Sequence, residues 1–179
     1  MIYSVVFYKL PKGRGGRILR RKDRQVTNQD EIIDIIKRCD VCRLALNTDT
    51  FPYIVPLNFG FTVDNCGTIT LYFHGAKQGE KHILIQKDNR AAFEMDCSHR
   101  LIPQTNGNSC SCTMNYESVV GTGKIEYVAD NEKEKALAVL MNHYHTEQKY
   151  SFNKNMVDNT AVFKLTVQHI TAKRRDGLA

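Results

Sequence analysis

The sequence lacks any apolar run approaching the roughly 20 residues that a membrane-spanning helix needs. Its apolar opening at 1–10 is too short to span, and it has neither the basic start nor the small-residue cleavage site of a signal peptide. The G-x-S-x-G elbow and the H-E-x-x-H helix are also missing, which leaves hydrolase chemistry without support. These absences predict a cytosolic protein, and 179 residues favour one domain with a substantial core.

Six cysteines are present, but without an export signal they do not indicate a disulfide framework. Cys39 and Cys42 form a C-x-x-C pair where a helix ends, whereas a redox pair usually opens a helix. The sequence therefore predicts buried or idle thiols that pack as small hydrophobes.

Metal ligands at a usable spacing are also missing. Cys110 and Cys112 flank a single residue, which is too close for ordinary zinc ligation. His143 and His145 stand two positions apart on a predicted helix, so their side chains point in nearly opposite directions. We predict no metal site.

The net charge of +6 comes from the first 24 residues, which hold eight basic side chains and one acid. Residues 25–179 sum to −1 and form the predicted folded domain. The glycines of the 1–24 arm are followed by arginine and lysine instead of an apolar helix, which argues against a phosphate-binding loop. A solvated tail is favoured over a contact with nucleic acid or a membrane.

Three helices are predicted from apolar spacing and end signals. Thr27 or Asn28 can cap a helix that ends near residues 39–40, because isoleucines then recur at helical spacing. Residues 79–87 form a second, short helix, and Asp130 can cap the strongest helix, at 131–145.

Strand signals dominate the rest of the chain, apart from a polar loop predicted at 100–113. Antiparallel strands in sequence with a few helices predict a mainly β fold, a closed or split barrel with flanking α-helices. The predicted strands are 41–47, 53–61, 68–74, 91–96, 116–128 and 160–170.

Two segments could carry chemistry. The first is residues 72–81, YFHGAKQGEK, where a strand is predicted to end. Its two glycines give the backbone conformational freedom, and its two lysines lie near a predicted helix start, a combination that suits a phosphate. A solvated lysine pair on a turn is the alternative. YIVPLNFG at 53–60 is an irregular strand end whose main-chain groups could meet a planar heterocycle, or else a kinked core strand.

These segments occur in a fixed order with several others. The chain resembles the nitroimidazole-resistance (Nim) proteins within the pyridoxamine-phosphate-oxidase-like flavin-binding split barrels. That resemblance implies a six-stranded split barrel and a homodimer with two flavin sites at the subunit interface, with FMN preferred to FAD. The other matching segments are RRKDR at 20–24, CRLAL at 42–46, AAFEMD at 91–96, YESVVGTG at 116–123 and TAKR at 171–174.

The resemblance also implies which residues hold the FMN phosphate. Lys81 should meet it, helped by the main chain of Gly75 and Ala76 and by Lys77. Arg43 is a candidate for contact with the phosphate or with a ring oxygen.

The same resemblance places other residues around the flavin ring. Leu57 and Asn58 should lie along the isoalloxazine edge, and Ser118 and Gly121 should approach from the other subunit. His74 matches a histidine that Nim proteins carry beside the flavin, and it could orient a substrate or donate a proton. A strand-end histidine satisfied by a carbonyl is the alternative.

The implied activity is flavin-dependent reduction of small nitroaromatic compounds, such as 5-nitroimidazoles, to amines. The flavin supplies the redox chemistry, while the protein supplies position and electrostatics. A non-catalytic flavin- or haem-binding protein on the same barrel is the rival interpretation, since a fold does not fix a function.

Overall fold

The computed structural model describes residues 21–103, 112–145 and 149–177. In these ranges eight strands form one antiparallel sheet accompanied by four α-helices, none of which is long and apolar enough to cross a membrane. The predicted basic arm lies outside them except for its last four residues. The strands are β1 (Gln25–Val26), β2 (Cys42–Leu46), β3 (Tyr53–Leu57), β4 (Gly60–Val63), β5 (Ile69–Ala76), β6 (Arg90–Ile102), β7 (Thr113–Tyr127) and β8 (Thr160–Arg175). The helices are α1 (Gln29–Arg38), α2 (Glu80–Lys87), α3 (Lys133–Tyr144) and α4 (Lys154–Asp158).

The sheet runs in the order β3-β2-β6-β7-β8-β5-β4, with β1 beside β8. β3 and β4 stand at opposite ends of this path, yet only Asn58 and Phe59 separate them in the chain. The sheet therefore curls until its ends meet, which confirms the predicted mainly β barrel with flanking helices. Eight strands are found instead of six because the predicted strand 53–61 breaks at Asn58–Phe59, and because the two-residue β1 gives no pattern to detect.

The hairpin of β6 and β7 is longer than predicted. The predicted loop 100–113 is wrong at both ends, because β6 continues to Ile102 and β7 already begins at Thr113; its middle lies outside the described residues. A bulge between Cys97 and Arg100 shifts the register before pairing resumes. Polar residues extend the hairpin because each strand supplies the other with backbone partners, which composition alone does not reveal.

Two differences concern the C-terminal part of the chain. The predicted cap of α3, Asp130, is wrong: the helix begins at Lys133, and the Asp130 carboxylate accepts a hydrogen bond from the Lys133 ammonium at 2.8 Å instead. β8 extends to Arg175, five residues past its predicted end, because it pairs with β7 over that whole stretch. The short helix α4 was not predicted.

Helix α1 closes the barrel core. It begins as predicted, since the Asn28 side chain accepts hydrogen bonds from the backbone N–H groups of Asp30 and Glu31 at 2.8 and 3.2 Å. Alternate residues of the strands point inward and meet its apolar face, which consists of Ile32, Ile35 and Ile36. The largest fully buried side chains of this core are Phe59, Phe73, Phe93 and Phe163.

The cysteines of the C-x-x-C pair are buried, as predicted. Burial raises the pKa of the Cys42 thiol to about 12 and also raises the pKa of the Cys39 thiol. Both thiols therefore stay protonated at neutral pH and pack as apolar groups.

An ionic cluster around Glu117 ties α1 to the sheet. Its carboxylate, only 10% exposed, accepts hydrogen bonds from Arg38 at 2.7 Å, Arg174 at 2.6 Å and Ser98 at 2.8 Å. Burial alone would raise the pKa of Glu117, but these three donors outweigh it and hold the pKa at about 2. Arg174 also binds Glu31 of α1, at 2.6 Å, so the last strand, the central hairpin and the first helix share one network.

Candidate functional site

The start of α2 is shaped to accept an anion. A Cβ placed on Gly75 would lie 3.2 Å from the Lys81 ammonium, so the missing side chain leaves this ammonium room above the end of β5. Gly79 precedes α2 with φ of 127°, a conformation that favours glycine, and no side chain caps the helix. In the described ranges Lys81 forms no ion pair. A free cation beside uncapped backbone N–H groups fits a phosphate such as that of FMN.

Lys77 lines a groove of about 370 Å³ between α2 and the end of β7. His82 is fixed there between the Ala76 carbonyl and the Tyr127 hydroxyl, at 2.6 Å from each. Because the carbonyl can only accept, the His82 Nε2–H donates to it and Nδ1 accepts from Tyr127. The turn that carries Lys77 is thus held at both of its ends.

His74 lies on the outer face of β5, opposite Val162 of β8. Its side chain is exposed, yet desolvation by the surrounding protein lowers the pKa of the imidazole below 6.5. The ring is therefore predominantly neutral at pH 7, and its proton-donating imidazolium form is populated only in more acidic solution.

Leu57 and Asn58 lie where β3 passes into β4. Gly60 pairs with Tyr72, so Asn58, two residues before it, and His74, two residues after Tyr72, lie at the same end of the barrel. Leu57 packs against the core, whereas the Asn58 amide turns inward to the Tyr144 hydroxyl at 3.2 Å. One chain thus brings together the predicted residues of 57–58 and 74–81.

Arg43 and Ser118 lie elsewhere, on the outer face of β2, β6 and β7. The Arg43 guanidinium binds the carboxylates of Asp96 at 2.7 Å and Glu94 at 3.1 Å, and Asp96 is the register partner of Ser118. In one chain, Arg43 therefore has carboxylate partners in place of a phosphate.

Ser118 and His74 lie far apart along β8 within one chain. Ser118 pairs with Lys173 of β8, whereas His74 pairs with Val162, so the two contacts stand eleven positions apart along that strand. At about 3.3 Å per residue, eleven positions of extended strand span up to roughly 36 Å.

Gly121 has a packing role that the structure explains within one chain. Its position faces the barrel interior, and a Cβ there would lie 2.4 Å from the Phe93 ring. Any larger residue would displace a fully buried aromatic side chain, so Gly121 is required by the core.

Two residues that organise this region were missed by sequence reasoning. Tyr144 falls within the predicted helix 131–145, and Glu117 within the predicted strand 116–128. The partners of Tyr144 stand 85 to 104 positions away in the sequence, and the two arginines that bind Glu117 stand 57 and 79 positions away, so no local pattern shows these contacts.

The closed sheet, the glycine-lined start of α2 and the irregular β3–β4 junction together define a split-barrel protein of the pyridoxamine-phosphate-oxidase-like class. The chain belongs to the pyridoxamine 5'-phosphate oxidase family, which it matches over residues 28–174. No functionally curated protein matches it.

Solved structures agree with this assignment and confirm the resemblance expected from the sequence. A protein from Bacteroides thetaiotaomicron VPI-5482, with a provisional assignment as a 5-nitroimidazole antibiotic resistance protein, is 32% identical over 84% of this chain and 86% of its own, with a TM-score of 0.72. The FAD and heme binding protein of Mycobacterium smegmatis covers 86% of this chain and 74% of its own at 19% identity and a TM-score of 0.73. The flavocytochrome Anf3 of Azotobacter vinelandii covers 89% and 73% at 16% identity and a TM-score of 0.73. These last two show the fold alone.

Proposed function

We propose that this protein is a flavin-dependent reductase of small nitroaromatic compounds, with FMN as its cofactor. The observation that carries the proposal is the Lys81 ammonium at the uncapped start of α2, which has no ion-pair partner among the described residues. It lies above Gly75 of β5, the strand that bears His74. The 5-nitroimidazole resistance assignment of the Bacteroides protein supports the substrate class.

In this proposal the residues at one end of the barrel have separate roles in binding the cofactor and in the reaction. Lys81 and the N–H groups at the start of α2 hold the phosphate, and the Leu57–Asn58 main chain borders the ring. A bound flavin supplies the electron transfer. Reduction of a nitro group also consumes protons, so His74 beside the acceptor can orient it and deliver a proton from its imidazolium form.

The proposal is tested by titrating the purified protein with FMN, FAD and riboflavin while the visible flavin absorbance is followed. We expect FMN to bind most tightly, because the site offers a cradle for one terminal phosphate. A protein that takes up none of the three overturns the proposal, and tighter binding of FAD would change its cofactor.

Replacing Lys81 by alanine separates the phosphate from the ring. Charge-assisted hydrogen bonds contribute about 1.5–3 kcal/mol, so FMN affinity is expected to fall roughly ten- to hundredfold, whereas riboflavin, which lacks the phosphate, binds as before. Lys87→Ala, which removes an exposed ammonium paired with Asp49 at the other end of α2, is the matched control. Equal loss of riboflavin and FMN would show that Lys81 is structural.

We also propose a homodimer with its flavin sites shared between chains. The proposal is supported by the separation of Ser118 from His74 along β8. Light scattering at micromolar concentration is expected to give twice the mass of one chain. A monomer that still binds flavin tightly contradicts the shared site.

A further inference from the structure

The Tyr144 hydroxyl, at the end of α3, meets three partners. It donates to the Asp40 carbonyl at 2.7 Å, and it accepts from the Phe59 backbone N–H at 3.0 Å and from the Asn58 amide at 3.2 Å. A hydroxyl has one proton to donate and two lone pairs that accept, so this group uses its whole capacity. One oxygen thereby joins the end of α3, the chain after α1 and the junction of β3 and β4.

The preceding residue strengthens the same junction. The His143 ring Nε2 hydrogen-bonds with the Cys39 carbonyl at 2.7 Å. The centroid of the His143 ring lies 4.4 Å from that of the Phe59 ring. Phe59 is fully buried, so this contact anchors the junction in the core. The end of α3 is further held by Gly60, where a Cβ would lie 2.4 Å from the backbone of Leu140.

Asn58 lies in this junction, and its main chain is paired neither as part of β3 nor as part of β4. The Asn58 Nδ2 group donates to the Tyr144 hydroxyl and, at 3.4 Å, to the Asp40 carbonyl. With this group so held, the donor that the junction offers a neighbouring planar ring comes from its main chain.

We propose that Tyr144 is a positioning residue, whose hydroxyl fixes the Asn58 main chain at the edge of the flavin ring while the Asn58 amide faces the protein. The inference rests on the proposed flavin site. It assigns to α3 the task of setting the ring end of the site, separate from the phosphate end at Lys81. Groups fixed before binding lose less conformational freedom when the ligand arrives, so the hydroxyl should contribute to affinity through the junction it orders.

The test is Tyr144→Phe, which removes only the hydroxyl. We expect the affinities for riboflavin and for FMN to fall by the same factor, about 5- to 30-fold, the equivalent of one to two of the three hydrogen bonds that the variant loses. The visible absorption band of the bound flavin should also shift. The pattern differs from that of Lys81→Ala, which spares riboflavin. Tyr150→Phe is the matched control, because its hydroxyl also contacts a carbonyl at the end of α3, that of His145, and its removal should leave the affinities and the band unchanged.

Asn58→Ala keeps the inference testable if Tyr144→Phe does not fold. It removes one of the three contacts of the hydroxyl, so riboflavin affinity should fall by less than about threefold, the value of a weak hydrogen bond. A loss as large as that of Tyr144→Phe, or above tenfold, would mean that the amide touches the ring and would overturn the inference. A folded Tyr144→Phe protein with unchanged riboflavin affinity and an unchanged spectrum would overturn the role of Tyr144 but leave the proposed function standing. A wild-type protein that binds no flavin would overturn both.

Discussion

Replacing His74 by alanine is expected to leave flavin bound and to slow the reduction of a nitroaromatic acceptor by about 10²–10⁴, the contribution typical of a positioned acid–base group. The imidazole lies on the outer face of β5 and is exposed, so its removal does not open the core. Binding and turnover should therefore separate in this variant.

Turnover by the wild-type protein should also depend on pH in a defined direction. The pKa of His74 is lowered by desolvation, so the imidazolium form grows only as the pH falls below 6.5. If that form donates the proton, wild-type turnover rises as the solution becomes more acidic through this range, and the alanine variant lacks the rise.

The measurement is anaerobic reoxidation of the chemically reduced flavoprotein by a 5-nitroimidazole, followed by visible absorbance. His145→Ala, which removes an exposed imidazole at the end of α3, is the matched control. Full activity in His74→Ala would show that the proton comes from water or another group. A wild-type protein whose flavin is not reoxidised by the acceptor would be a carrier rather than an enzyme.

Replacing Glu117 by glutamine is expected to lower the free energy of unfolding by roughly 3 kcal/mol at pH 7, because the pKa of this carboxyl is about 2 in the fold against an ordinary 4.5. The variant leaves Arg38 and Arg174 without their shared anion in a place where Glu117 is only 10% exposed. The thermal midpoint should fall by about 6–12 °C for a chain of this size.

The sign of the pH effect follows from the lowered pKa. The stabilisation is fully present above pH 4.5 and is lost as the pH falls towards 2, since in that interval Glu117 takes up a proton when the protein unfolds. The difference in stability between wild type and Glu117→Gln should shrink over that interval, in thermal unfolding followed by circular dichroism. Glu126 lies on the same strand as Glu117 and forms an exposed ion pair with Lys164 of β8. Glu126→Gln should therefore change the free energy of unfolding by less than about 1 kcal/mol. A pH-independent difference would mean that packing, and not charge, is what Glu117 contributes.

Local patterns predicted most of the architecture. The Asn28 cap and the isoleucine face of α1 each depend on residues close in sequence, and the structure places them as expected. A strand end and a helix start are also found within 72–81, whereas phosphate binding there stays a prediction. The division of β3 from β4 was missed because Pro56 suggested an interruption without fixing where the chain leaves the sheet. Only the docking of α3 against Gly60 shows that point.

Side-chain roles that depend on distant partners could not be predicted. The resemblance implies flavin contacts for Arg43 and Gly121, and both stay predictions. Within one chain, two carboxylates on the adjacent strand bind Arg43, and the small size of Gly121 accommodates the Phe93 ring. In both cases the residue type was informative, but the neighbour that uses it is set by sheet register, which a single sequence does not contain.

The order of the strands has a consequence for how the molecule opens. Among the described residues, β7 is hydrogen-bonded to β6 and β8 along nearly its whole length, whereas β3 and β4 each have one partner strand. Amide protons of β7 should therefore exchange with solvent last, and those flanking Asn58 and Phe59 earlier, through local opening that leaves the hairpin intact. A ligand held at that junction would slow the early exchange selectively, so the barrel would gain rigidity where its cofactor sits and little elsewhere.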